Sequence, residues 1–572
     1  MISIGKLDIG GVNKDISKYD LAPMVFTDAI DVDFENGGVV PAVKDVGVFF
    51  GMSDNPLYVS FVNGIGGSVH PVYLSATKGH VILSSTHSDI TRTEAEGGDY
   101  SATLFYKWNG GFFHGYMVWT NGADVPQVWN PFKPEERMRN LPNWPSSIRV
   151  ALIRPYLNFL IGLGYTNQNG GTDAQTVIWS DITDPGNLPL NWNIGDPTSK
   201  AGAYSLTASS EQIMEAQELN GMLYIYKKTT IWTMRYIAGT YVMSFSPSFQ
   251  NRGALAPRCV LSLAGEHFCL DRLGFYIHNG TSIRDVGKDV VTDYFFKTIN
   301  NNALYSVFLS HEEAKNRIWI FYPTGTNRYA DKALVWDYKK NTWTFRNVQQ
   351  AICAAPAAMS SYGSTGVWDQ YDVGWGEDAL KWENDTSSWS TQITWDTIPT
   401  SVFWDDLPGR QAQRSLHYAS FIDKTTVTFD PVTGFSTDGL VVWRGTSAFP
   451  PLWYIPKEGL RKQGYIERLN LSVIEQDATG AFSVDRSVYK HLTELYPEVE
   501  SVPIEIRWGT QSLAGAPVQW EDWQVFSPDI DIKLDPNITE KFLALSFRGK
   551  ADLPFKWALT GYSLNIHNAG RY

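Results

Sequence analysis

A chain of 572 residues is several times the commonest domain size, so more than one packing unit is expected. Aromatic residues make up 14% of it and Gly and Pro supply 48 and 29 residues, which excludes a long helical bundle and fits many short strands joined by tight turns. With 47 Lys and Arg against 60 Asp and Glu, the net charge of −13 excludes a protein that grips nucleic acid electrostatically, because such affinity comes from cations neutralising phosphates.

The N-terminus, Met1-Ile-Ser-Ile-Gly-Lys6, has no basic start followed by an apolar run, so no secretion signal is expected. The best apolar stretch, Ile148 to Tyr165, is broken by Arg149, Arg154, Pro155 and Asn158, which argues against a membrane span. Synthesis and folding in a cytoplasm follow as the expectation. Residues 1–54 read as an N-terminal arm and strand.

Residues 55–355 keep producing one unit: an apolar-alternating strand, a polar turn, another strand. Asn109-Gly110 and Asn279-Gly280 are read as hairpin turns with positive φ at both positions. Met222–Tyr226 with Thr230–Tyr236, and Gly274–His278 with Ser282–Arg284, supply paired strands. A third version runs through Asn316–Tyr322, Lys332–Tyr338 and Thr342–Phe345, three strands of one antiparallel sheet. Recurrence at roughly 40 to 50 residues is what a β-propeller needs, each blade burying its faces against its neighbours. The alternatives are a sandwich or a chain of small β-domains. Within this body, Asp289 to Asn300 reads as a short amphipathic helix behind an Asp cap.

Residues 356–410 form an acidic insertion. Nine acids face two bases, and six of the 22 tryptophans lie here: Trp368, Trp375, Trp382, Trp389, Trp395 and Trp404. The first four are seven apart, but the intervening Gly, Ser, Thr and Asp are poor helix material, so strand-turn repeats with stacked indoles fit better than a coiled coil. Packing of Trp in a thin β-layer with Asp at the turns is the leading reading, against calcium binding, which lacks its Asp-x-Asp-x-Asp-Gly spacing, and sugar stacking on exposed indoles. The six tryptophans are the candidate partner interface. Residues 411–572 return to strand patterns, in Val427–Phe429, Leu440–Trp443, Ile504–Trp508 and Phe542–Phe547, and read as a β-sandwich-like domain. Arg486 to Tyr496 reads as a second helix, with Val488, Leu492 and Leu495 on one face and Pro497 as its stop. The expected fold is therefore all-β: a propeller-like body of antiparallel blades, a C-terminal sandwich and few short helices.

Catalytic signatures are absent from the sequence: no HExxH, GxSxG, GxxxxGK[ST] or GxGxxG occurs. The three cysteines, Cys259, Cys269 and Cys353, read as buried free thiols, and His267 beside Cys269 as a core pair rather than zinc ligands. The sialidase-type Asp box is echoed only by Ser180 to Gly186 with Trp192. No catalytic, cofactor-binding or metal-binding residue is assigned, and no enzyme is expected.

Several stretches resemble the nozzle, or tail-hub, proteins of short-tailed bacteriophages. They are Gly10–Asn13, Leu21–Pro23 and Asp28–Val39 near the start; Val177–Pro185 running to Trp192; and Leu219 to Phe296, including Ile231-Trp-Thr-Met234, Asn251–Pro257, Leu273–Gly280 and Ile283–Gly287. The acidic Trp repeats are similar to segments of the same proteins. One departure is Pro41–Lys44, where related sequences often place an Arg before a Gly. The resemblance implies a virion component: a ring, usually of six copies, below the portal and adaptor rings and in contact with tail fibres or tailspikes. Double-stranded genomic DNA would be retained in its lumen and conducted outward at ejection, without sequence-specific binding and without stable membrane insertion. An acidic lumen suits sliding, since rows of Lys and Arg would hold phosphate. The alternative is a glycan-binding or glycan-cleaving β-propeller of an adsorption apparatus.

Overall fold

A computed structural model describes residues 1–49, 51–65, 68–83, 86–104, 107–167, 172–239, 241–357, 415–420, 452–456, 459–477 and 479–571. The six tryptophans from Trp368 to Trp404, and the strand readings Val427–Phe429 and Leu440–Trp443, lie outside the described residues. The chain is all-β. Five four-stranded antiparallel sheets follow one another along the sequence, spanning 58–89, 109–140, 148–205, 213–250 and 260–286. A sixth meander, Phe308–Glu312, Arg317–Tyr322, Ala330–Asp337 and Thr342–Ala357, continues the series. We number these blades 1 to 6.

Their packing is that of a propeller. Apolar cores lie between successive blades: Val118, Val128, Val150 and Ile178 between blades 2 and 3, and Ile161, Val177, Ile225 and Met234 between blades 3 and 4. Blade 1 packs on Thr342–Ala357 of blade 6, which closes the circle. Each blade alternates inward and outward residues and so has two faces to bury, which only neighbours on both sides can do.

The second layer is a sandwich that shares its sheet with the propeller. Thr342–Ala357 pairs with the arm strand Asp28–Ile30, which pairs in turn with Tyr465–Leu471. Phe542–Gly549 and Ile504–Gln511 follow, giving one 13-stranded sheet from blade 6 into the C-terminal region. The facing sheet holds Ile2–Gly5, Val32–Glu35, Gly38–Pro41, Lys490–Glu500, Ile538–Glu540 and Ala558–Asn568. Ile466, Ile506 and Leu545 from one sheet meet Ile4, Leu495 and Leu564 from the other in a common core.

The arm is riveted by charge. Asp33, buried on Val32–Glu35, is met by Arg317 at 2.8 Å, by Arg346 and by Lys315 at 3.7 Å. Burial alone raises a carboxyl pKa, but these cations hold Asp33 far below the usual carboxylate range.

Three local readings change. Residues 486–496 are not a helix: Lys490–Glu500 is a strand paired with Ala558–Asn568. A register shift between Leu492 and Glu494 inserts one residue, so Leu492 and Leu495 both face the core at a spacing of three and mimic a helical turn. Asn109-Gly110 opens the strand Asn109–Phe113, and the turn falls at His114-Gly115, both at positive φ. Asn279-Gly280 does turn, but only Gly280 has positive φ, while the Asn279 side chain accepts from the backbone of Thr281 and Ser282. The helix read at 289–300 forms over Thr292–Thr298. Its cap is not Asp289 but Asp15 of the arm, whose carboxylate accepts from the backbone of Asp293 and Tyr294 at 3.0 and 2.9 Å.

Candidate functional site

The polar groups that converge on the propeller axis come from the start of each blade, where the innermost strands meet. Glu215, 2% exposed on Ile213–Leu219 of blade 4, is the one carboxylate of this group. It accepts from Arg154 of blade 3, whose Nε and Nη2 lie 3.0 and 2.5 Å away, and from the backbone N–H of Arg258, at 3.2 Å, at the start of blade 5. Arg154 also donates to Asn109 Oδ1 of blade 2 at 3.1 Å. Asn109 in turn accepts from the backbone of Ile153 and donates to the Ala151 carbonyl. This explains the displaced turn: Asn109 is drawn inward to bridge blades 2 and 3, so the hairpin closes five residues later.

Arg258 ties in the remaining blades. Its guanidinium donates to the carbonyls of Trp108 and Leu57, at 2.7 and 3.4 Å, the residues just before blades 2 and 1. Its own carbonyl accepts from Leu309 of blade 6 at 3.0 Å. Cys259 Sγ reaches the Val307 carbonyl beside it. Six blades therefore contribute to one chain of contacts around the axis. Arg258 holds it in left-handed backbone, φ 66°, a conformation a bulky residue adopts only when its surroundings impose it. Lys107 stands next to this group; burial, then the charge of Arg258, brings its pKa down to about 7.

A second buried network joins blades 4 and 5. Gly280 N–H donates to His278 Nδ1 at 3.2 Å, so Nε2 carries the hydrogen and donates to Tyr226 Oη, 2.6 Å away. The Tyr226 hydroxyl then donates to His267 Nδ1 at 2.5 Å, and His267 Nε2 to the Glu218 carbonyl at 3.0 Å. Every group is satisfied with both imidazoles neutral, and burial lowers each pKa to about 4. His267 and Cys269 are indeed core residues, and all three cysteines are free and buried. The partnership with Tyr226 and His278 had no local sequence signal, since the three residues meet only because blade 5 stacks on blade 4.

A surface cleft of about 500 Å³ lies on the rim of blade 3, lined by Asn143, Pro145, Leu190, Asn191, Trp192, Asn193 and Ile194. Trp192, the end of the Asp-box echo, packs edge-on against Trp144 with ring centres 4.6 Å apart, and the lining holds no carboxylate. Among the described residues no three His, Cys, Asp or Glu side chains are grouped to hold a metal ion, and no helix is long and apolar enough to cross a membrane.

No family model matches the chain. No curated protein sequence matches it either. Among solved structures, an exo-β-1,3-galactanase from Phanerochaete chrysosporium with galactose bound is 9% identical, with a TM-score of 0.27, over 83% of this chain and 98% of that one. A puromycin hydrolase complexed with PGG is 11% identical, TM-score 0.33, over 58% of this chain and 54% of that one. The CNH domain of AfRom2 is 12% identical, TM-score 0.26, over 45% and 79%. Similarity at this level carries no statement about activity.

Proposed function

We propose that this protein is a structural, non-enzymatic subunit of a short-tailed phage tail. It forms a ring-shaped nozzle, of about six copies by family resemblance, below the portal and adaptor, and it retains packaged DNA and conducts it at ejection. The observation that carries this reading is mechanical: the propeller and the sandwich are one body. The arm strand Asp28–Ile30 sits inside the 13-stranded sheet between blade 6 and the C-terminal strands. Ile2–Gly5 lies on the last strand of the chain, Ala558–Asn568. A wall element that must stay shut against packaged DNA needs such stitching, because interfaces between loosely linked domains move by default.

The charge supports the same reading. At −13 the chain repels phosphate, so a lumen presenting its acids lets a duplex slide. The adaptor, fibre or tailspike contacts and the virion location follow from the resemblance.

Electron microscopy of the purified full-length protein, alone and with an adaptor ring, tests it. Rings with an axial hole are the expected result. A monomer that binds or cuts polysaccharide would overturn the proposal in favour of the glycan-directed propeller. A ring whose lumen is lined mainly by Lys and Arg would overturn the sliding argument while leaving the ring intact.

A further inference from the structure

Blades 2, 3 and 4 carry exposed apolar side chains at one end. In a four-stranded antiparallel blade, the turn from the first to the second strand and the connection from the third to the fourth lie at the same end. At that end of these three blades stand Phe112, Phe132, Leu157, Ile182, Ile237 and Tyr241, each 41 to 78% exposed. They adjoin. The Phe132 ring lies over Gly115, where a Cβ would come 3.7 Å from it, and Gly111 backs on Pro155 of blade 3 so closely that a Cβ would meet that ring at 2.8 Å. The Thr183 N–H donates to the Asn158 carbonyl at 3.0 Å, which sets Ile182 beside Leu157. Tyr156 Oη donates to the Gly221 carbonyl of blade 4 at 2.8 Å and accepts from the N–H of Tyr236, next to Ile237, at 3.4 Å. One arc therefore runs across three blades.

Its turn chemistry is not what folding alone selects. Leu157 sits at a left-handed φ of 50° in the two-residue turn between Ile148–Tyr156 and Phe159–Asn167, where Asn or Gly is at ease and a bulky side chain is not. That side chain is half exposed, so the core gains little from it. The arc is also bare of charge. Turns 113–116, 157–158, 220–221 and 237–242 contain no Lys, Arg, Asp or Glu. Charge enters at the margin, in the third-to-fourth connections of blades 2 and 3, where Lys133 pairs with Glu136 and the Asp181 carboxylate accepts from the N–H groups of Ile182 and Lys200. The opposite ends of the blades differ, with the ion pairs Arg92–Asp124 and Arg252–Asp271.

We propose that this arc is the surface by which one copy of the chain docks on another. The assignment rests on the ring reading, which supplies the need for a contact between copies. Two copies of net charge −13 repel, so they approach closely only where neither presents charge. An anionic lipid surface would need Lys or Arg that these turns lack. Six such side chains offer about 600 Å² of apolar surface, most of the ~800 Å² that one partner gives to a standard interface. Monomeric proteins rarely leave a contiguous patch of that size in water, and aromatic side chains without charge are the composition of an interface core.

Sedimentation velocity over a concentration series, with electron microscopy of the same samples, tests this on the full-length protein with and without an adaptor ring. Wild type is compared with Leu157→Asp and Tyr241→Glu, singly and together, and with Leu273→Asp, an exposed apolar site at the opposite end of blade 5. Asp tolerates the backbone of residue 157 and Tyr241 is 78% exposed, so the variants keep the wild-type Tm. The double variant should raise the concentration for half-assembly roughly thirty-fold or more, while Leu273→Asp assembles as wild type does. Dimers in place of rings, lost in the double variant, uphold the docking surface and overturn the ring reading. Rings unchanged in the double variant overturn the docking surface and leave the ring reading standing; if such rings no longer join the adaptor, the arc belongs to the adaptor. Equal loss of assembly in Leu273→Asp overturns the docking surface as well. A wild type that stays monomeric throughout overturns both.

Discussion

Among the described residues, buried carboxylates meet cations both at the seam of the arm and at the propeller axis, and they do so to different ends. At the seam between the arm and blade 6, Arg317, Arg346 and Lys315 all converge on Asp33, so the carboxylate is the common partner, while the buried Nε and Nη1 of Arg346 have no acceptor among the described residues. At the axis, Glu215 is shared by Arg154 and a backbone N–H, and the Arg258 guanidinium goes to carbonyls. The first arrangement fastens the arm to a blade. The second fastens six blades to each other. The lesson is that a charge count alone does not distinguish the two clusters; whether the cations go to the carboxylate or to backbone carbonyls does.

The largest expected effect falls on the rivet. Asp33→Ala leaves two buried guanidinium groups and an ammonium without their carboxylate, and denaturant unfolding should show a loss of about 3–5 kcal/mol. A loss under 1 kcal/mol would mean the arm is held by its strands alone. Acid comes next, through the neutral Tyr226, His267 and His278 network. Both histidines have folded pKa values near 4 against 6.5 in the unfolded chain, so between those values the unfolded state binds more protons. Stability is then fully present above pH 6.5 and falls as pH drops toward 4, by roughly 3 kcal/mol for one site taken alone. The slope should flatten in His278→Gln, and an unchanged slope would place the titration elsewhere. The smallest effect is at the axis: Glu215→Gln keeps an acceptor for Arg154, and Asn109 and the carbonyls hold the rest, so about 2 kcal/mol is expected. A loss equal to that of Asp33→Ala would erase the distinction between the two clusters.

Much of the fold was legible because strand signals are local. Thr230–Tyr236 forms over the residues that its alternation and flanking turn residues mark, and the sheet read from 316 to 345 pairs as expected. Errors arose where a distant partner changed the local rule. The bulge in Lys490–Glu500 imitates a helix because one extra residue shifts the inward phase. Asn109 abandons its turn because the Arg154 guanidinium and two backbone groups need it. Asp289 does not cap because Asp15, far away in sequence, does.

The axis itself was invisible beforehand. Lys107, Asn109, Arg154, Glu215 and Arg258 are ordinary residues in four different repeats, with no common spacing. The sequence by itself determined an acidic, aromatic, turn-rich chain of β-meanders, because composition, alternation and turn chemistry act within a few residues. Which carboxylate meets which cation, and how the arm joins propeller to sandwich, were decided by tertiary structure alone. Closing a ring of blades brings together residues that no local interaction relates.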